Sequence, residues 1–225
     1  MQIFEKIQYE TAKDYVLRLL RTNIKTLELV PGSQISENEL SSILGISRTP
    51  IREALAELSR FRLVEVVPQK KTTVALIDYS LVEEANFMRY TLETALMELV
   101  CQKRTEEDLA LLRENIILQK LYLENGSKEK LMEKDDAFHR RFFEIACKME
   151  IYQLMQSLMI HFDRVRNMAI GTVQNLKIVE DHEAILVAIQ KRDAECAKKL
   201  LSDHLTRFRV DASAIQAKYP GYFRD

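Results

Sequence analysis

Residues 29–55 read LVPGSQISENELSSILGISRTPIREAL, and most of the N-terminal architecture can be predicted from them. A Pro-Gly pair first turns the chain, and a short helix then begins after Ser36 and stops at Gly45. A second helix begins after Ser47, with Pro50 in its first turn, where a missing N–H is tolerated. Two helices joined by so short a connection are typical of a helix-turn-helix.

The residues on either side complete a recognisable unit. Apolar residues at helical spacing predict a first helix over residues 4–26, and two β-prone runs at 63–67 and 72–77 predict a hairpin. A helix, a helix-turn-helix and a hairpin form a winged helix-turn-helix. We therefore predict a DNA-binding domain over residues 1–77.

The rest of the chain has almost no helix breakers. Between residues 78 and 218 there is no proline and there are only two glycines. This predicts a mainly α protein whose second domain, residues 78–225, is an antiparallel bundle of six to seven helices. Six long helices are expected, at residues 81–103, 105–124, 127–147, 149–169, 173–191 and 193–217.

Charge and composition narrow the functional classes. The 225 residues carry 33 Lys/Arg against 34 Asp/Glu, but residues 1–77 are net +2 and the remainder is net −3. No stretch approaches the ~20 apolar residues of a membrane span, so no membrane partner is expected. The three cysteines form no Cys-x-x-Cys pair, which predicts unpaired thiols and a cytoplasmic location.

The start of the second helix of the pair carries the candidate base-reading residues. Arg48 and Arg52 share one helix face, and an arginine fork matches guanine O6 and N7. Ser47 and Thr49 suit phosphate oxygens. The alternative is that both arginines are only solvated, or pair with a neighbouring glutamate.

These residues carry a family resemblance. The run from Leu29 to Leu40 and the block SRTPIREAL closely resemble the GntR family of bacterial transcription regulators, over residues 8–76. The resemblance implies a homodimer that binds an inverted repeat in double-stranded DNA. It also implies a basic wing, although Lys71 stands where the family usually has glycine. The predicted DNA-contacting residues are Ser36, Ser47, Arg48, Thr49, Arg52, Lys70 and Lys71.

Histidines on apolar helix faces are the second candidate site. Asp135 and His139 are one helical turn apart, and His182 and His204 also lie among apolar residues. Burying an unpaired Asp is costly, and one divalent metal ion would satisfy all four residues. Three imidazoles and a carboxylate suit zinc or nickel, with manganese or iron as further alternatives. The alternative is that each histidine is buried independently in the core and the histidines share no site.

The second half resembles the FCD effector domain of the FadR subgroup, over about residues 80–210. Metal-binding members have an Asp-x-x-x-His pair and two later histidines, which map onto Asp135, His139, His182 and His204. The resemblance implies a divalent metal, zinc first with nickel or manganese possible, beside a small carboxylate effector.

Three further residues are candidates for holding that effector. Arg89 would anchor it, unless Arg89 only pairs with Glu93 one turn away. His161 and Arg164 could also reach the cavity, or could belong to the core or the surface.

These features predict a DNA-binding transcription regulator controlled by an organic acid, and not an enzyme. Two alternatives stay open: a metal-dependent enzyme with a site like two histidines and one carboxylate, and a regulator whose metal is purely structural.

Overall fold

The computed structural model describes residues 1–67, 71–170 and 177–224, with side chains throughout except at residues 208–212. It is mainly helical, as predicted. The N-terminal elements are α1 (Ala12–Lys25), β1 (Gln34–Ile35), α2 (Glu37–Leu44), α3 (Arg48–Arg60), β2 (Val64–Val66) and β3 (Thr72–Val74). They are followed by α4 (Tyr79–Lys103), α5 (Glu106–Glu124), α6 (Lys128–Ile145), α7 (Met149–Ile170), α8 (Ile178–Gln190), α9 (Ala194–Thr206), α10 (Phe208–Lys218) and a 3-10 turn at Pro220–Tyr222.

The N-terminal elements form the predicted winged helix-turn-helix. The Ser36 hydroxyl accepts the backbone N–H of Glu39 at 3.3 Å and so caps α2. Gly45, with φ of 64°, ends that helix in the left-handed conformation. The wing is a three-stranded antiparallel sheet in the order β1-β3-β2, so the predicted hairpin has gained a third strand.

The first helix is shorter than predicted. It begins at Ala12, because the Thr11 hydroxyl accepts the Asp14 N–H at 3.1 Å and caps α1 there. Tyr9 has a φ of 70°, which a helix through this position would not allow. The apolar residues before Thr11 therefore lie outside the helix.

The described part of the bundle contains seven helices. The helix predicted at 193–217 is divided at Arg207 into α9 and α10. Helix α4 contacts α6, α7 and α9, while α5 contacts α6 and α8. Phe138, Phe142 and Phe143 of α6 are fully buried in the core between them. Among the described residues, no helix combines the length and the apolar character that crossing a membrane requires.

The two groups of elements are docked through α7 and the connecting segment. Ile160 of α7 is 4% exposed and belongs to the apolar core of the N-terminal elements. In the connecting segment, Ile77 donates its N–H to the Tyr222 carbonyl at 2.8 Å and accepts the Arg224 N–H at 2.9 Å. The C-terminal end of the chain therefore holds the connection between the two parts.

Candidate functional site

The predicted DNA-contacting residues surround one end of α3. Ser36, Arg48, Arg52 and Lys71 line an open groove of about 650 Å³ between α2, α3 and β3. In addition, Ser47 and Thr49 are exposed at the start of α3, and Ser47 makes no side-chain capping bond. Lys70 lies outside the described residues.

Arg52 has an acidic partner that sequence reasoning did not identify. Its Nε lies 2.7 Å from Glu37 Oε2, at the start of α2, rather than on a glutamate of its own helix. This contact uses the Nε–H and leaves the two terminal nitrogens of the guanidinium, which are the pair that grips a guanine edge. The Arg52 side chain is still 62% exposed, so it remains accessible from the groove.

The four predicted metal ligands converge. Asp135 and His139 of α6, His182 of α8 and His204 of α9 each offer a ligand atom, and these atoms all lie within 4.8 Å of one another. The first three residues are buried and His204 is half-buried. We call these four residues the Asp/His cluster.

Polar side chains behind the cluster fix which ring nitrogen faces inward. The Nδ1 atom of every imidazole has a partner: Glu93 Oε2 lies 2.6 Å from His139, Gln119 Oε1 lies 2.8 Å from His182, and Asp181 Oδ2 lies 3.1 Å from His204. An Nδ1–H that donates to these oxygens leaves each Nε2 as a free lone pair directed at the cluster. Supporting residues of this kind orient the histidines of protein metal sites.

The atoms that face the centre of the cluster lack partners suited to them. His139 Nε2 is buried and has no hydrogen-bond partner among the described residues, and Asp135 Oδ2 has an ion-pair contact with Arg166 at 3.3 Å but no hydrogen bond. The Nε2 atoms of His182 and His204 face each other at 3.3 Å. Buried imidazole acceptors that meet only other acceptors are destabilising. A divalent cation would satisfy all of them, so the donor set fits a metal ion of the zinc type.

Burial and the surrounding charges favour the unprotonated forms of His139, His182 and Asp135. Burial and the Arg89 guanidinium lower the pKa of His139, and burial with the neighbouring imidazoles lowers the pKa of His182 well below its usual value. Burial would raise the pKa of Asp135, but Arg166 and other cations outweigh it and lower that pKa. Two neutral imidazoles and a carboxylate are the forms that bind a metal.

A small cavity adjoins the cluster. Its volume is about 80 Å³, enough for only a few heavy atoms, and Asp135 and His204 lie in its wall. Apolar side chains such as Phe162 and Leu205 form part of the wall. Its charged members besides Asp135 are the carboxylate of Asp181 and four cationic side chains: Arg89, Arg166, Lys177 and Arg207.

Arg89 lies at the cavity and also forms the ion pair with Glu93, so its predicted anchoring of an effector stays a prediction. It lines the cavity, and its Nε also lies 2.9 Å from Glu93 Oε1 in a buried ion pair. Burial would raise the pKa of Glu93, but Arg89 holds it at about 2, so the carboxylate that supports His139 stays charged. Arg89 therefore contacts both the cavity and Glu93, which is the hydrogen-bond partner of the predicted metal ligand His139.

His161 and Arg164 do not line this cavity, which corrects their placement among the effector-binding residues. His161 Nε2 lies 2.8 Å from the Phe61 carbonyl, and Arg164 donates to the Ala75 carbonyl at 2.8 Å. Both side chains are buried against the N-terminal elements. Val165 and Met168 of the same helix pack in the bundle core, so α7 has buried side chains against both halves of the chain.

Sequence reasoning missed most of the supporting residues. Asp181 directly precedes His182, and Glu93 lies one turn from Arg89, so local spacing could have suggested both. In contrast, Gln119 and Arg166 reach the cluster from other helices, and no local pattern marks them. Their roles depend on how the helices pack.

Comparison with known families divides the chain in the same way as the structure. Residues 12–74 match the bacterial regulatory proteins of the gntR family, and residues 84–207 match the FCD domain. The first match contains α3 and the groove, and the second contains the whole Asp/His cluster.

Individual relatives cover nearly the whole chain. The HTH-type transcriptional repressor RspR of Escherichia coli K12 is 28% identical over 211 residues, which are 93% of this chain and 92% of the relative. An HTH-type transcriptional regulator in an unstable DNA locus of Streptomyces ambofaciens is 30% identical over 216 residues, 94% of this chain and 89% of that protein. The solved structure of E. coli McbR/YncC has the same fold, with a TM-score of 0.76 at 21% identity, covering 93% of this chain and 99% of that one.

Proposed function

The chain belongs to the GntR family of bacterial regulatory proteins and carries an FCD domain, and on that premise we propose that a divalent metal in the Asp/His cluster controls its binding to DNA. DNA-binding regulation is the activity of this family. The observation that carries the finer proposal is the convergence of four donor atoms within 4.8 Å on three helices. In addition, the Nδ1 atom of each of the three imidazoles has a hydrogen-bond partner outside the cluster.

The donor set favours zinc. Three imidazole nitrogens and one carboxylate oxygen are common zinc ligands, while nickel and manganese remain alternatives for the same set. When bound, the ion would supply coordination positions that a carboxylate ligand could occupy. The chain itself contributes the cationic wall, in which Arg89 and Arg166 would pair with the carboxylate of a small organic acid.

The DNA-contacting residues divide into two roles. Arg48 and Arg52 are proposed to read base edges, since both are exposed beside the groove. The hydroxyl and lysine side chains would contact phosphates and set the register of α3 on the duplex. This second group consists of Ser36, Ser47, Thr49, Lys70 and Lys71.

We also propose a cytoplasmic homodimer whose two copies of α3 read an inverted repeat. Residues 1–77 would form its DNA-binding domain, and residues 78–225 its effector-binding and dimerisation domain. We favour a regulator over a metal-dependent enzyme for two reasons. Protein side chains supply four donors to the cluster rather than three, and the same chain carries a DNA-reading domain.

Metal removal tests this function. A duplex selected by the full-length protein from random oligonucleotides would be titrated with protein in excess Zn²⁺ and in chelator, with and without short carboxylic acids. We expect the dissociation constant to change between the two conditions and to respond to at least one acid. Identical binding in all conditions would contradict metal and effector control.

A further inference from the structure

Charged side chains form a continuous path from the Asp/His cluster to the DNA-binding part. Arg166 Nη2 lies 3.3 Å from Asp135 Oδ2 and also contacts Asp136. Its Nη1 lies 3.4 Å from Asp163 Oδ1. On the other side, Lys25 Nζ of α1 lies 2.6 Å from Asp136 Oδ2 and 3.3 Å from Asp163 Oδ2. We call these five residues the ion network.

The network depends on two consecutive residues that face different ways. Successive side chains on an α-helix point about 100° apart, so Asp135 and Asp136 point in different directions. Asp135 belongs to the Asp/His cluster, whereas Asp136 reaches Lys25 of α1. Arg166 contacts both carboxylates, and it also lines the cavity beside the cluster.

The path is buried enough for these charges to depend on one another. The side chains of Asp135 and Asp163 are 4% exposed, and that of Arg166 is 13% exposed. Burial would lower the pKa of Lys25, but Asp163 and Asp136 outweigh it and raise that pKa. In such surroundings, removing one partner leaves the others imperfectly balanced. The end of α1 is held further by Asn167, which donates to the Lys25 carbonyl at 2.7 Å.

We infer that Arg166 is a positioning residue that transmits the state of the Asp/His cluster to the DNA-binding part through Asp136, Asp163 and Lys25. This inference rests on the proposed metal control and specifies which residues connect the metal site to the DNA-binding part. Once Asp135 shares its charge with a bound cation, it attracts Arg166 less, and Arg166 neutralises Asp136 and Asp163 more fully. These two carboxylates then attract Lys25 less, and α1 is held less firmly against α7.

A carboxylate in the cavity has the opposite effect. It offers Arg166 a new anionic partner, so that Asp136 and Asp163 depend more on Lys25. The metal ion and the carboxylate thus change the docking of α1 in opposite directions. Because α1 packs on α3, the recognition helix, the placement of α3 changes with it. A ligand shifts an equilibrium only through such differential contacts with its two states.

The experiment compares two cations of α1 that both reach the bundle. Lys25 belongs to the ion network. Arg21 donates to the Gln156 carbonyl at 3.2 Å and forms no ion pair with the described residues, so it serves as the control. For wild type, Lys25→Met and Arg21→Met, full-length protein is titrated onto the selected duplex in excess Zn²⁺ and in chelator. The readout is the ratio of the two dissociation constants, with Zn²⁺ affinity measured separately.

We expect a ratio of at least ~5 in wild type and in Arg21→Met, within the usual range of allosteric coupling. In Lys25→Met the ratio should fall to about one while Zn²⁺ affinity is retained, and Lys25→Arg should restore part of it. If Lys25→Met folds poorly, Lys25→Met with Asp136→Asn removes one charge of each sign and should give the same ratio of about one.

Two results would overturn the inference and can be told apart. A wild-type ratio well above one that persists in Lys25→Met overturns the route alone and leaves metal control standing. A wild-type ratio of one overturns the proposed metal control together with the route.

Discussion

His161 of α7 lies with its Nε2 2.8 Å from the backbone carbonyl of Phe61, the residue that ends the recognition helix α3. The ring donates this N–H, and its Nδ1 faces Arg164 Nη2 at 3.4 Å as an acceptor. The second contact requires a neutral imidazole, because a protonated Nδ1 could not accept from Arg164. Helix α3, which we propose reads DNA, is therefore fixed directly to the bundle by a residue whose Nδ1 must stay unprotonated.

We expect this histidine to make the stability of the metal-free protein pH-dependent. Burial and the Arg164 guanidinium lower the pKa of His161 from 6.5 to about 4. Between these values the unfolded chain binds a proton that the folded chain does not. The free energy of unfolding should therefore fall as pH falls through this window, by up to about 1.4 kcal/mol per pH unit from this residue.

The variant His161→Gln keeps a donor and cannot titrate. Denaturant unfolding in chelator, measured from pH 7 to pH 5, should show a shallower pH slope for the variant. The buried carboxylates do not interfere, because their lowered pKa values place their loss of stability below about pH 5. His139 and His182, whose pKa values are also lowered, contribute the same slope to both proteins. Identical slopes for the two proteins would show that His161 is already protonated in the folded state.

Arg48→Ala should weaken binding to the selected duplex and relax specificity at one base position. An arginine on a guanine edge contributes about 1–3 kcal/mol of discrimination. Arg60→Ala is the matched control, since Arg60 is exposed on the same helix three turns further on. Competition between single-base variants of the duplex gives the readout. Equal effects of the two substitutions would rule out a base contact by Arg48.

Glu37→Gln should separate specific from non-specific binding. Loss of the carboxylate removes a negative charge near the phosphates, so affinity for random DNA should rise. At the same time the charged partner that orients Arg52 at 2.7 Å becomes a neutral amide oxygen, which holds it less firmly, so discrimination at its base should fall, by less than the ~1–3 kcal/mol expected for losing the arginine. Glu39→Gln makes the same charge change without touching Arg52. Discrimination that falls equally in both variants would contradict an orienting role.

Gln119→Met tests the support behind the Asp/His cluster. The substitution removes the oxygen that accepts from His182 Nδ1 at 2.8 Å and frees that ring to turn or change tautomer. Loss of such a partner typically weakens metal binding about 10–100-fold. The exposed Gln102→Met is the control. Competition for Zn²⁺ against a coloured chelator gives the zinc affinity of each variant. An unchanged affinity in Gln119→Met would show that Gln119 does not support metal binding by His182.

The winged helix-turn-helix could be predicted because its signals are local. Ser36 and Gly45 mark the ends of α2 through their own backbone preferences, and both act as predicted. The first helix was placed too early because apolar spacing continues past the Thr11 cap. The strand β1 was missed because two residues carry no periodic pattern.

The candidate metal ligands could be predicted from residue type and family resemblance, but the contacts that depend on helix packing could not. The resemblance to the FCD domain placed the Asp-x-x-x-His pair and two later histidines at one site, whereas their spacing alone could not show that the helices converge, as they do in the structure. His161 shows the limit, since an inward-facing histidine on α7 is compatible with two different interiors. The role of Arg166 could not be foreseen, because it depends on carboxylates from α6 and α7 meeting a lysine from α1.

Metal content is the most direct test of metal control. Tag-free protein, saturated with Zn²⁺ and dialysed, would be analysed by elemental mass spectrometry beside His182→Ala and His204→Ala. We predict about one zinc per wild-type chain and almost none in either variant, with a lower melting temperature in wild type after chelation. Zinc that is absent from the wild type, or equally abundant in all three proteins, would contradict a metal site at the Asp/His cluster.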